Sequence, residues 1–193
     1  MAAPSLATRD ALLEAAIHLF GEFGYTRISH ADISAEANIG RTTFYEHFSS
    51  KEDLLVRLVE RDLPALIDDI LDSVAADLAP DVRMRELTVR FVEFVGTDQL
   101  GLILHTEVPR LSPESQVAIA ATHRRLATEI MEIYQEGIDA GVFVEFDPRL
   151  AGRLIQETMM SGGRVVMGFE DPKQHVHAIA EATAGFLVNG LSR

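Results

Sequence analysis

The chain has 193 residues, 47% of them hydrophobic, no cysteine, and a formal net charge of −13. That length and apolar content suit one large domain, or a small domain beside a medium one, with a sizeable core. The lack of cysteine excludes a disulfide framework, a thiolate zinc site and a cysteine nucleophile.

Residues 1–7 read as a flexible start. Arg9, Asp10, Glu14 and His18 interrupt any signal-peptide-like apolar stretch. No apolar run reaches the roughly eighteen residues of a spanning helix, so no membrane contact and a cytoplasmic location are expected. Thr8 is placed to cap a helix to about Phe23, whose Leu13, Ala16, Ile17 and Phe20 recur at helical spacing. Gly24 is placed to end it as a left-handed terminator. Ser29 and Asp32 have the spacing of a capping box for a short helix to about Ala37. Asn38-Ile39-Gly40 reads as a tight turn, where Asn and Gly both tolerate positive φ. A further helix follows over 41–48, and Ser49-Ser50 breaks it ahead of a helix starting near Lys51. Beyond it the pattern predicts helices at about 51–62, 64–78, 82–96, 98–107, 113–140, 148–168 and 172–190, with prolines at or near the boundaries. Val142-Phe143-Val144 reads as an extended link with no partner strand.

Residues 29–48 follow the logic of a helix-turn-helix. A helix at 31–37 and another at 41–48 are joined by a three-residue turn, with Ile33, Ala37, Ile39 and Phe44 sealing the corner. The outer face of the second helix then holds Arg41, Thr42, Thr43, Tyr45, Glu46 and His47, side chains suited to base edges and phosphates in a major groove.

Five stretches carry a wider likeness: Phe20-Gly21-Glu22-Phe23-Gly24-Tyr25, Asp32-Ile33-Ser34, Asn38-Ile39-Gly40, Thr43-Phe44-Tyr45-Glu46-His47-Phe48 and Ser50-Lys51-Glu52-Asp53-Leu54. In order and spacing the chain here resembles the tetracycline-repressor-like (TetR) family over roughly residues 9–58. It departs at Gly40, where the family usually has a hydroxyl cap, and at Thr42, where Gly is frequent. The resemblance implies that Arg41, Thr42 and Tyr45 approach base edges. It implies that Thr43, Tyr45, His47 and Lys51 touch phosphates, and that Ser29, with Arg27 nearby, holds the DNA backbone from the other side. It also directs the N-terminus of the helix at Lys51 toward phosphate.

Charge is awkward for such a function. Residues 1–60 carry five Lys or Arg against nine Asp or Glu, and the remainder twelve against twenty-one. Neither part is basic. Affinity must come from a few placed cations, giving a log–log salt slope of about 4–6 per dimer if two or three cations per half-site act.

The fold class expected is all-α: an N-terminal three-helix DNA-binding domain with the helix-turn-helix over 1–55, and a larger helical effector-binding and dimerisation domain over 56–193. By resemblance the last two helices pair with those of a second copy. They are rich in small and apolar residues: Ala151, Met159, Met160, Ser161, Gly162 and Gly163, then Ala178, Ala180, Ala182, Ala184, Gly185, Phe186 and Leu187. The bland reading of the same residues is intramolecular core. The middle helices offer Phe91, Phe94, Leu104, His105, Met131 and Tyr134 as lining for a small, mainly apolar effector, with Glu107 and His123 as further polar anchors. Glu14, His18 and Glu22 share one helix face and read as a salt-bridge row rather than a metal site. No cofactor, metal or catalytic constellation is expected, so the chain reads as a regulator and not an enzyme. The partners expected are a double-stranded operator, a second copy of the chain and a small-molecule effector. The competing reading is a helical small-molecule carrier or enzyme that has lost DNA binding, which the acidic N-terminal part favours.

Overall fold

The computed structural model describes residues 5–193, and its regular elements are helices. They are α1 (Leu6–Phe23), α2 (His30–Glu36), α3 (Arg41–His47), α4 (Lys51–Asp72), α5 (Pro80–Thr97), α6 (Gln99–Glu107), α7 (Pro113–Thr122), α8 (Arg124–Asp139), α9 (Pro148–Met167) and α10 (Pro172–Leu191). Single 3-10 turns follow α1 at Tyr25–Arg27 and α6 at Val108–Arg110. The all-helical expectation holds.

Several boundaries fall elsewhere than the sequence pattern places them. Of the expected flexible start, residues 1–4 lie outside the described residues. Helix α1 already begins at Leu6, with Ser5 rather than Thr8 in the capping position. Pro64 does not divide two helices but sits inside α4. It lacks the N–H that would reach the Glu60 carbonyl. Both residues face solvent, where water can satisfy that carbonyl, while Leu63 and Ile67 are buried on the opposite side. The expected long helix over 113–140 is two helices, broken at His123. The Thr122 hydroxyl donates to the Ile119 carbonyl at 2.6 Å, a local bond that competes with the helical ladder. The extended link does have a partner, the chain's own end. Phe143 bridges Ser192 in antiparallel fashion, and the Val144 N–H donates to the Leu191 carbonyl at 2.7 Å.

The chain divides into two compact units. One joins the residues up to Pro64 with Leu102–Thr122, and the other joins Ala65–Gly101 with His123–Arg193. In the first, α1, α2 and α3 close around Leu12, Leu13, Phe20, Ile33, Phe44 and Phe48, all at most 1% exposed. In the second, α5 packs against α8, α9 and α10. Val89, Val92, Val166, Ala180 and Ala184 form a core there. Close approach depends on missing side chains. A Cβ on Gly96 would stand 2.6 Å from Val166 Cγ1, and one on Gly163 would run into Val95.

The small residues of α9 and α10 therefore split. Ala151, Met159, Gly162, Gly163, Ala180, Ala184 and Leu187 are buried inside the second unit, where the bland reading holds. Ser161, Ala178, Ala182 and Phe186 point out. With them lies an exposed apolar series of Leu150, Leu154 and Val165 on α9, and Phe186 is 74% exposed.

Candidate nucleic-acid interface

The helix-turn-helix is built by local chemistry. Asp32 folds back on Ser29: its Oδ2 accepts from the Ser29 N–H at 2.8 Å and from the Ser29 hydroxyl at 2.7 Å. The Asp32 N–H in turn donates to Ser29 Oγ at 3.3 Å. This reciprocal capping box fixes the start of α2. These hydrogen bonds hold the Asp32 carboxyl below its ordinary range, so it stays charged. The turn needs positive φ at Asn38 alone, at 54°, whereas Gly40 is extended with φ −64°. The N–H of Ile39 closes the turn on the Ser34 carbonyl at 2.8 Å. Ile33 and Phe44 are fully buried at the corner, with Ala37 and Ile39 half-buried behind them.

Burying Phe44 aims the rest of α3 outward. Arg41, Thr42, Tyr45 and Glu46 are exposed, and Thr43 and His47 are half-buried. Arg27, just before α2, is exposed as well. Among the described residues, neither Arg27 nor Arg41 takes part in an ion pair, whereas Arg57 and Arg61 are neutralised by Asp53 and Glu60, and by Glu14 and Asp62. α3 thus offers a guanidinium outside any ion pair, hydroxyls and one phenol, and Arg27 ahead of α2 offers a second guanidinium; these are the donors that base edges and phosphates require.

Two of the expected DNA contacts are engaged within the protein. Both donors of Ser29, its N–H and its hydroxyl, are given to Asp32. The Lys51 ammonium donates to the carbonyls of Tyr25 and Ile28, each at 2.8 Å, and lies 4.0 Å from the centre of the Tyr25 ring. Burial lowers the Lys51 pKa, and the Glu107 carboxylate opposes that shift. Burial, then Glu52 and Glu107, push the Tyr25 phenol up to about 12. The first turn of α4 also carries its own acids. Asp53 accepts from the Ser49 N–H at 2.8 Å, and Glu52 accepts from the Ser112 N–H at 2.9 Å and from its hydroxyl. The positive end of α4 is thus met by carboxylates of the chain itself.

Sequence reasoning missed this cluster of Lys51, Tyr25, Glu52, Glu107 and Ser112. Its hydrogen-bonded partners lie up to sixty residues apart, and no periodicity links them. The row of Glu14, His18 and Glu22 is a surface ion-pair set. His18 meets Glu22 at 3.5 Å and Glu36 at 3.3 Å, and Glu14 pairs with Arg61. No metal-binding group of three His, Asp or Glu is found among the described residues.

In the second unit a cavity of about 420 Å³ opens between the end of α4, the start of α5 and α8. Leu71, Val74, Leu87 and Ile133 give it an apolar floor, and Asp72, Arg83, Arg125 and Glu129 a charged rim. Arg83 is held by Glu129 at 2.9 Å and by Glu136, and Arg125 by Asp68. The six residues proposed from sequence do not line it. Phe91 is buried, and Phe94 and Met131 are half-buried in the same unit. Tyr134 is buried against Phe143, its hydroxyl donating to the Val144 carbonyl at 2.8 Å and accepting the Phe146 N–H at 2.9 Å. Leu104 and His105 are half-buried in the first unit. Glu107 is buried and faces Arg110 at 3.3 Å.

Two family models match the chain and together cover most of it. Residues 12–58 match the bacterial regulatory proteins of the tetR family, and residues 77–162 match the tetracyclin repressor-like C-terminal domain. The chain belongs to the TetR family. This TetR-family protein is a DNA-binding transcription regulator, and its helix-turn-helix, α2 to α3, lies inside the first matched region. It is 25% identical to the HTH-type transcriptional regulator YhgD of Bacillus subtilis, over 97% of this chain and 98% of that one. Its fold is that of the transcriptional regulator FadR of Bacillus subtilis, solved in complex with stearoyl-CoA. The TM-score is 0.77 at 20% identity, covering 94% of this chain and 98% of that one. AibR, solved with isovaleryl coenzyme A and operator DNA, gives a TM-score of 0.73 at 21% identity, covering 94% and 98%. No helix among the described residues is long and apolar enough to cross a membrane.

Proposed function

We propose that this regulator is a repressor. Two copies place their α3 helices in successive major grooves of a palindromic operator, about 34–36 Å apart, and a small, mainly apolar effector releases them. The observation that carries the reading is the outward face of α3, with Arg41, Thr42 and Tyr45 exposed over a buried Phe44. In this reading those three side chains meet base edges, while Arg27, Thr43, Tyr45 and His47 meet phosphates. Ser29, with both donors on Asp32, and Lys51, with two of its three N–H donors on the Tyr25 and Ile28 carbonyls, hold α2 and α4 in place behind that face.

The second copy docks on the outer side of α9 and α10. Leu150, Leu154, Val165 and Phe186 expose an apolar surface there of the kind that marks an interface. The effector sits in the cavity between α4, α5 and α8, whose apolar floor and charged rim suit an apolar body with a polar or charged head. Acyl-CoA thioesters, bound by FadR and AibR, are the first compounds to try. A regulator of bacterial DNA works in the cytoplasm and needs no catalytic group.

The test is selection of a duplex from a random-sequence pool by the purified protein, followed by release assays. The expected outcome is a palindromic duplex bound by a dimer, released by stearoyl-CoA or isovaleryl-CoA but not by free coenzyme A. Absence of binding to any duplex at low salt would overturn the regulator reading in favour of a carrier.

A further inference from the structure

We propose that His30 is a positioning residue for DNA recognition, a flat brace on α2 that sets the direction of Tyr45 on α3. The inference rests on the reading of Tyr45 as a DNA contact, and it concerns what aims that side chain before DNA arrives.

Three observations carry it. First, the imidazole touches both rings of the Phe44-Tyr45 pair. Its centroid is 5.3 Å from that of Tyr45, tilted by 53°, and 5.8 Å from that of Phe44, tilted by 47°. Phe44 is fully buried and fixed, whereas Tyr45 is 49% exposed. The Tyr45 ring is therefore flanked by Phe44, edge-on at 5.4 Å, and by His30.

Second, the base of the brace is rigid. His30 directly follows the Ser29 cap, and its carbonyl accepts the Ser34 hydroxyl at 2.9 Å.

Third, His30 Nε2 is shut away from solvent and has no hydrogen-bond partner among the described residues. A buried polar nitrogen left unpaired costs stability, so folding alone gives no reason for an imidazole here. What the position uses is a planar ring. An exposed tyrosine has several staggered rotamers open to it. A ring held against one side narrows that set, and DNA binding then has less side-chain freedom left to remove.

The experiment compares His30→Ala and His30→Phe with the wild type. It follows the ring resonances of Tyr45 in the free protein and binding to a duplex that the wild type selects from a random-sequence pool. Tyr25 and Tyr134 are the only other tyrosines, and Tyr45→Phe assigns the signal. His30→Ala is expected to move the Tyr45 ring signals toward those of a free tyrosine. It should weaken binding by about three- to tenfold per half-site, hence roughly ten- to hundredfold for a dimer. His30→Phe keeps a ring and removes the orphaned nitrogen. It should restore both readouts and raise the melting temperature.

Unchanged Tyr45 signals in a folded His30→Ala protein overturn the proposal. So does a His30→Phe protein that is folded yet binds as weakly as His30→Ala, since the imidazole itself would then be what matters. If His30→Ala does not fold, His30→Val removes the ring with less loss of volume and carries the same test. Weak binding by Tyr45→Ala with normal binding by His30→Ala sinks the brace alone. Normal binding by a folded Tyr45→Ala sinks the DNA role of Tyr45 and with it the purpose of the brace.

Discussion

Replacing Lys51 with methionine keeps most of the side-chain stem and removes the ammonium, which separates two roles for this residue. If the ammonium is a phosphate ligand, its loss shows in the salt dependence of DNA binding. If it is a clamp on the Tyr25 and Ile28 carbonyls, its loss shows in stability. Each neutralised phosphate contributes about 0.9 to the slope of log affinity against log salt. With Arg27 and Arg41 as the free cations of each half-site, a dimer carries four and its slope is about 3.6. With Lys51 added it carries six, and the slope is about 5.4. The structure supports the smaller value, because the ammonium already has two carbonyl partners and a ring beneath it. Hydrogen bonds from a charged donor are worth about 1.5–3 kcal/mol when shielded. Lys51 is half-exposed and water can replace part of what is lost, so the clamp should cost about 1–3 kcal/mol in all. Band shifts across a salt series, beside thermal melts, read both quantities. The expected result for Lys51→Met is a lower melting temperature with a slope within about 0.5 of wild type, while Arg41→Ala lowers the slope by about 1.8. A slope that falls by nearly 2 in Lys51→Met with the melting temperature unchanged would refute the clamp.

Other consequences concern single contacts. Gly96→Ala drives a methyl to within 2.6 Å of Val166 Cγ1 in the second unit, and overpacking of this kind costs about 1–3 kcal/mol in a melt. Tyr134→Phe deletes the hydroxyl that joins the Val144 carbonyl to the Phe146 N–H, which should cost about 1–3 kcal/mol and speed amide exchange at Phe146. Glu52 has a pKa held below the ordinary carboxylate range, chiefly by the Ser112 and Ser115 hydroxyls. Its folded-state pKa is depressed, so its contribution is present above the ordinary value of 4.5 and fades as pH falls toward the lowered one. The protection of the Ser112 amide, its exchange rate relative to that of an unstructured amide at the same pH, should therefore fall on acidification over that range, and Glu52→Gln should show the low protection at neutral pH.

Much of the fold was legible because it is local. Caps, turns and helical faces act over three or four residues, so Ser29 with Asp32, and Phe44 with the exposed face of α3, could be read directly. The same reasoning placed the outward-facing Arg41, Thr42 and Tyr45. It misjudged Pro64 and the link at Phe143, because each outcome depends on what lies beside the residue rather than before or after it. Pro64 stays helical since its missing donor faces water while its neighbours Leu63 and Ile67 are buried. Phe143 finds its partner at the far end of the chain.

The sequence by itself determined that this chain is helical, where its helix-turn-helix lies and which side of α3 faces outward. Those follow from residue spacing and from bonds between near neighbours. Only the tertiary structure decided that Lys51 turns two of its donors inward, that about half of the small residues of α9 and α10 are internal, and that His30 lies against Tyr45. Such contacts join positions that are distant along the chain, and they form only once the helices have packed.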